Sequence, residues 1–336
     1  MPRRPQPLRI AIDTGGTFTD CVWQDGGRLR MLKVFSTPAD PSQAIIEALR
    51  RIAKDKDTSA DGGELVLLHG TTVGTNTLLQ RKGARTALVT TAGFEDAIEI
   101  GRQARPKLYD FFFDRVEPLV PKDLRFGVDE RTASDGEILT APTREELRAL
   151  AEHITLAQPQ SIAISLLFCF ANPKNELAVA EAFNSLAVPL SISHQILPEF
   201  REYERTSTVV INAYLQPVMQ HYLENLGDRV GETSRGRLQA SSSRFSGKDT
   251  QKVSEAESRK PEAGSRIFVM QSSGGITALS TAAREPVRTV LSGPAGGVVG
   301  AAATARASGF DRIIAFDMGG TSTDVSLVEG SIATAT

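Results

Sequence analysis

One octapeptide occurs twice in this chain, and it constrains the fold more than any other feature. It stands near the N-terminus as Asp13-Thr-Gly-Gly-Thr-Phe-Thr-Asp20 and near the C-terminus as Asp317-Met-Gly-Gly-Thr-Ser-Thr-Asp324. Six of the eight positions agree. Each copy follows an apolar run that reads as a buried strand, Leu8 to Ile12 and Ile313 to Phe316. Each is followed by a second run, Cys21 to Trp23 and Val325 to Val328. Strand, Gly-Gly turn, strand predicts a β-hairpin. Solenoid repeats recur every ~20–50 residues, and these copies lie about three hundred residues apart. The expectation is therefore two related halves that face each other.

The turn has a definite chemistry. Paired glycines tolerate positive φ and carry no Cβ, so consecutive backbone N–H groups can approach an anion closely. Thr17, Thr19, Thr321 and Thr323 add hydroxyls to the glycines Gly15, Gly16, Gly319 and Gly320. The carboxylates of Asp13 and Asp317 would repel a bare phosphate, so they make sense only with a cation between. Mg²⁺ suits that place, because it is commonly held by one or two carboxylates, waters and phosphate oxygens. Two such hairpins would clamp a polyphosphate.

Composition permits this. The 336 residues suggest about two domains. Apolar residues make up 40% and charged residues 23%, ordinary values for a globular protein, and the net charge of −2 gives no reason to invoke nucleic acid or an acidic membrane. Cys21 and Cys169 sit in separate apolar runs, which reads as buried thiols without a disulfide framework. Met1 to Pro7 is basic but lacks the apolar segment of a signal peptide, and no run approaches the ~20 residues of a membrane span. A cytoplasmic protein is expected.

Arg28 to Phe35 reads as a third strand, and Pro41 to Lys54 as a helix with proline in its first turn. Leu65 to Leu68, a short strand, delivers His69-Gly-Thr-Thr-Val-Gly-Thr-Asn76 at the mouth of another helix. Free N–H groups there favour an anion or carbonyl. Thr71, Thr72 and Asn76 could read a substrate's amide or carboxylate, although Thr71 or Thr72 equally fits an N-cap. His69 reads as a satisfied strand-end residue. Gly101-Arg-Gln-Ala-Arg-Pro106 places Arg102, Gln103 and Arg105 together as a fork for a carboxylate or amide, or as a solvated basic loop. Phe111 to Phe113 read as core.

From Pro142 onward the pattern becomes strand–helix–strand, with helices from Arg144 to Thr155 and from about Pro173, and strands at Ser161 to Phe168 and Val188 to Ser193. That alternation predicts a doubly wound α/β layer. Arg201 to Leu226 reads as a long helix kinked by Pro217. Residues 227–264 are polar and Gly-rich, and a disordered insertion is expected there. The strand Arg266 to Met270 then ends in Gln271-Ser-Ser-Gly-Gly275. Leu291-Ser-Gly-Pro-Ala-Gly-Gly297 opens a small-residue helix into the second hairpin.

The paired hairpins resemble the phosphate motifs of the actin-like ATPase superfamily. With His69–Asn76, Gly101–Pro106 and Leu291–Gly297 they resemble, more narrowly, the hydantoinase A/5-oxoprolinase family, and its hydantoinase A type, from about Leu8 to the C-terminus. The resemblance implies an actin-like (RNase H-like) α/β fold. Residues 1–226 would form a first half with an inserted α/β subdomain, 265–310 its continuation, and 311–336 the opening hairpin of a second half. It implies ATP-dependent opening of a cyclic amide such as 5-oxoproline or a hydantoin, by phosphorylation of the amide oxygen. Asp13 and Asp317 would hold Mg²⁺, and Gly15, Gly16, Thr17, Gly319, Gly320 and Thr321 would cradle phosphates. Asp20 and Asp324 would brace their hairpins, while Thr71, Thr72, Asn76, Arg102 and Gln103 would face the substrate. The chain stops about twelve residues after Asp324. Weak nucleotide binding and little turnover are expected of it alone, without the remainder of the second half or a hydantoinase B-type subunit. A small-molecule kinase, and a non-catalytic remnant that binds partners or itself through open strand edges, are the other readings.

Overall fold

The computed structural model describes residues 7–25, 27–37, 39–54, 64–103, 109, 116–242, 266–318 and 323–332, with backbone alone along 234–242. Gly319, Gly320, Thr321, Arg105, Phe111 to Phe113 and residues 243–265 lie outside the described residues. In chain order come β1 (Leu8–Thr14), β2 (Phe18–Asp25), β3 (Arg28–Phe35), α1 (Pro41–Lys54), β4 (Leu65–Thr71), α2 (Val73–Leu79) and β5 (Thr86–Thr91). Next are α3 (Ala97–Ile100), β6 (Arg125–Val128), β7 (Arg131–Thr132), β8 (Ile138–Thr140), α4 (Arg144–Ala157), β9 (Ser161–Ser165) and α5 (Lys174–Phe183). The rest are β10 (Leu190–Ile192), α6 (Ser193–Ile196), α7 (Glu202–Ser242), β11 (Arg266–Met270), β12 (Ile276–Ala278), α8 (Leu279–Arg284), α9 (Ser292–Ala307), β13 (Arg312–Met318) and β14 (Thr323–Glu329). No helix among the described residues is long and apolar enough to cross a membrane.

The chain divides into two compact units. The first takes Met1–Thr75, Gln220–Ala283 and Arg288–Thr336. Its six-stranded sheet has the order β12-β11-β4-β1-β2-β3. Strands β1, β2 and β3 form an antiparallel meander, while β4 runs parallel to β1 and β11 parallel to β4. Strand alternation sorts the side chains. Ile10, Ile12, Cys21, Trp23 and Leu67 point to one face, where they pack with Ala44, Ile45, Ala48, Leu49 and Ile52 of α1. Asp13 points to the other face.

Asp40 precedes α1 and accepts from the Ser42 N–H at 3.2 Å and the Ser42 hydroxyl at 2.5 Å, which satisfies groups at the open helix end. The expected end of the long helix moves. α7 continues past Leu226 to Ser242 because Leu226 and Val230, four residues apart, are both fully buried in this core. Packing of that face outweighs the poor helix propensity of Gly227 and Gly231. The helix is also unbroken at Pro217.

The second unit takes Asn76–Met219 and Arg284–Val287. Its four strands are all parallel, in the order β10-β9-β5-β6. α4 and α5 cover one face through Leu147, Ile154, Val179 and Phe183, and Val209, Val210 and Ala213 of α7 lie on the other cluster. Thr143 and Glu146 form a reciprocal capping box at the start of α4. This is the expected α/β layer. β9 ends at Ser165, short of Phe168, whose φ of 52° is not strand-like.

The second Asp-Gly-Gly hairpin is present too. β13 and β14 form a two-stranded sheet of their own among the described residues. Asp317 lies opposite Asp324 and Met318 opposite Thr323, the register by which Asp13 faces Asp20 and Thr14 faces Thr19. Ile314, Phe316, Val325 and Leu327 are exposed on it.

Candidate functional site

The site residues of the first unit gather at the carboxyl ends of β1 and β4, where Asp13 is level with Gly70 and Thr14 with Thr71. In the first turn the Gly15 N–H donates to the Phe18 carbonyl at 3.0 Å. A Cβ on Gly15 would stand 3.1 Å from that same carbonyl oxygen, so the close approach calls for glycine. Gly16 has open space instead, with nothing within 4 Å of a Cβ. Neither residue has positive φ, so the expected conformational reason for the glycines does not apply. What Gly16 leaves is an accessible backbone. The end of β3 locks the turn from behind, since the Ser36 hydroxyl donates to the Gly15 carbonyl at 2.8 Å and the Ser36 N–H to the Thr17 carbonyl at 2.9 Å. Thr17 is exposed at the tip.

Thr19 does not face this opening. It lies on the opposite side of the sheet from Asp13, fully buried, with its hydroxyl 3.0 Å from that of Ser36. The expectation of a phosphate-facing Thr19 is corrected by the two-residue period of the strand. Thr323, at the matching place in β14, is exposed.

The acids are arranged as repeated cross-strand pairs. Like charges directly opposite on a sheet destabilise it. Asp20 is relieved by Lys33, whose Nζ stands 2.6 Å from its Oδ1, so Asp20 braces the meander. Asp13 retains an exposed flank. Its carboxyl is nevertheless held above the usual carboxylate range, first by partial withdrawal from water and then by the charges of Asp20 and Asp317. Asp317 thus contributes to the field at Asp13, and a divalent cation there would relieve it. Among the described residues no group of three or more His, Cys, Asp or Glu is gathered for a metal. The donor set fits an oxygen-seeking cation that rests on one or two carboxylates and completes its shell with water and phosphate.

The substrate-side candidates divide between the units. Thr71 is buried and its hydroxyl accepts the Val73 N–H at 3.2 Å, which is the capping role. Of the two expected roles of Thr71, this geometry is the structural one. The Thr72 hydroxyl donates to the Thr14 carbonyl at 3.1 Å and ties the ends of β4 and β1 together. Asn76, Arg102 and Gln103 belong to the second unit. Arg102 is indeed a fork, but it grips Glu204 of the chain itself, Nε to Oε1 at 2.8 Å and Nη2 to Oε2 at 2.6 Å. Gln103 has a φ of 53°, uncommon for a residue with a side chain.

Other residues here gave little sign in the sequence. His69 is buried, with Nε2 2.8 Å from the Tyr222 hydroxyl, and burial pushes its pKa down to about 4. Tyr222 lies far along the chain, on a helix whose apolar pattern conceals one polar contact. The Leu291 N–H donates to the Thr75 hydroxyl at 3.0 Å and the Ser292 hydroxyl to the Thr71 carbonyl at 3.3 Å, so the start of α9 is fastened to the end of β4. The Leu291-Ser-Gly-Pro motif was the available signal for that joint.

A mixed sheet led by an antiparallel meander, an inserted parallel α/β unit and a duplicated acidic hairpin define an α/β fold of the RNase H-like ATPase type. Two sequence families cover most of the chain: the hydantoinase/oxoprolinase N-terminal region matches residues 9–187 and hydantoinase/oxoprolinase matches residues 205–336. The chain belongs to the hydantoinase/oxoprolinase family. An uncharacterised protein of Methanocaldococcus jannaschii is 38% identical over 95% of this chain and 43% of its own length. Caprolactamase subunit alpha of Pseudomonas jessenii is 32% identical over 97% of this chain and 44% of its own. The crystal structure of the ATP-dependent caprolactamase from that organism superposes with a TM-score of 0.74 at 31% identity, over 95% of this chain and 43% of that one. Nucleotide-free acetone carboxylase, from work on ATP-dependent acetone carboxylation, superposes with a TM-score of 0.76 at 26% identity, over 96% and 44%. The chain spans less than half the length of each of these relatives.

Proposed function

We propose that this chain supplies the phosphate-holding part of an enzyme that opens a cyclic amide, 5-oxoproline or a hydantoin, at the expense of ATP. The observation that carries this reading is the duplicated acidic hairpin, with Asp13 and Asp317 at the same place in the two matching registers. Membership in the hydantoinase/oxoprolinase family and the likeness to an ATP-dependent caprolactamase support it.

In the proposed reaction the amide oxygen attacks the γ-phosphorus and the bond to ADP breaks. Water adds to the activated carbon, the ring C–N bond breaks as nitrogen takes a proton, and a second water releases phosphate. A bound Mg²⁺ would neutralise the phosphate charge, held by Asp13 and Asp317. Gly15, Gly16 and Thr17, with Gly319, Gly320, Thr321 and Thr323, would line the β- and γ-phosphates. The protein's part is positioning and charge neutralisation. Thr72 remains a substrate-side candidate of the first unit, and Asn76 and Gln103 are candidates of the second, where Arg102, next to Gln103, is held by Glu204. The rest of a relative's length, or a partner subunit, would complete the site, and a cytoplasmic location accords with this chemistry.

ATP-dependent carboxylation of a ketone is the second reading, favoured by the superposition on acetone carboxylase. The test is product analysis with the chain extended to the length of its relatives. Equimolar ADP and ring-opened acid from 5-oxoproline, hydantoin or caprolactam support the first reading. ADP formed only with ketone and bicarbonate supports the second, and a stable phosphorylated product would instead mark a kinase.

A further inference from the structure

The glycines of α9 do not stand in equivalent surroundings. A Cβ at Gly293 or Gly300 would meet nothing within 4 Å, and one at Gly296 would lie 3.2 Å from Met270 Cε. At Gly297 it would lie 3.5 Å from Asp317 Oδ2. On β4, a Cβ at Gly70 would lie 3.0 Å from Asp13 Oδ1. Each carboxylate of the acidic pair therefore has a glycine of a neighbouring element at its flank.

Glycine within a helix is less favourable than any residue except proline, because it loses the most backbone freedom. At Gly297 no close approach among the described residues calls for glycine. Its φ is not positive, and a contact of 3.5 Å would be ordinary. Gly70 likewise is the next-to-last residue of β4 and has no positive φ, and glycine in a strand marks a close approach. Both positions give up stability beside the two carboxylates on which the phosphate site depends.

We propose that Gly70 and Gly297 are positioning residues that keep the flanks of Asp13 Oδ1 and Asp317 Oδ2 open, so that a hydrated divalent cation can reach them. The inference rests on the phosphate-clamp reading. A methyl group at either place would cover the oxygen, strip it of water and stiffen the carboxylate against the small rotation that ligation needs.

The probe is Mn²⁺ alone, titrated into the 336-residue chain and read by loss of the free-ion paramagnetic resonance signal, with thermal melting in parallel. Gly297→Ala is expected to melt at or above the unsubstituted chain and to bind Mn²⁺ about tenfold more weakly, the scale of effects from residues that orient metal ligands. Gly300→Ala, on the same helix, is expected to melt higher and bind Mn²⁺ unchanged. A structural role alone would move melting and leave binding untouched. Gly297→Ala that binds as tightly as the unsubstituted chain overturns the inference while leaving the clamp reading in place, provided Asp13→Asn and Asp317→Asn lose binding. No Mn²⁺ binding by the unsubstituted chain, or binding that survives both aspartate substitutions, overturns the clamp reading and this inference together.

Discussion

His69 illustrates how one side chain serves the site from beneath. It is buried, bonded through Nε2 to Tyr222, and neutral because burial lowers its pKa from 6.5 to about 4. The neutral ring sits one residue before Gly70, so it helps fix the strand end against which Asp13 is placed. In the unfolded chain the ring takes a proton below its ordinary pKa, whereas the folded chain resists until about pH 4. Stability is therefore fully present above pH 6.5 and is lost as pH falls toward 4, with a total change of roughly 3 kcal/mol from this residue. Denaturant unfolding at intervals across that window should show a slope approaching one proton in the unsubstituted chain. The slope should be absent from the difference attributable to His69 in His69→Gln. Equal slopes in both proteins would mean that the ring is charged or solvated in the fold.

At the scale of elements, Asp40 joins the start of α1 to α7. Its carboxyl accepts from Ser42 and Gln43, and Arg229 of α7 pairs with it at 2.8 Å. Desolvation alone would raise its pKa, but these hydrogen bonds and the guanidinium hold it below the usual carboxylate range. That contribution is present above the ordinary pKa of 3.8 and disappears as pH falls through the lower folded value. Asp40→Ala should cost about 1–2 kcal/mol near neutral pH, the range of a lost N-cap, and the difference should vanish in strong acid. Urea midpoints for the two proteins at both pH values would measure it.

The elements themselves were largely legible, because the meander, α1 and the α4–β9–α5 alternation follow from strand and helix periods in local sequence. The hairpin pairs were legible because the motif is written twice. Less legible were features that depend on distant chain. Leu226 and Val230 extend α7 only because a core receives them. Arg102 looked available until Glu204, remote in sequence, was found in its fork. Gly70 and Gly297 read as turn or helix glycines, since only the fold brings them beside the two aspartates.

At the scale of the molecule, the central claim is that two copies of one acidic hairpin hold a single metal–polyphosphate between them. The two hairpins differ in support. The first is set into a six-stranded sheet, and the second forms a two-stranded sheet among the described residues, with Phe316 and Leu327 exposed. Binding that needs both acids therefore discriminates a clamp from a single phosphate turn. The most direct measurement is isothermal titration of the chain with Mg-ATP beside Asp13→Ala and Asp317→Ala. The account predicts measurable binding that either substitution abolishes, with both variants retaining the circular dichroism spectrum of the unsubstituted chain. Binding that persists unchanged in Asp317→Ala, or no binding at all by the well-folded unsubstituted chain, would contradict it.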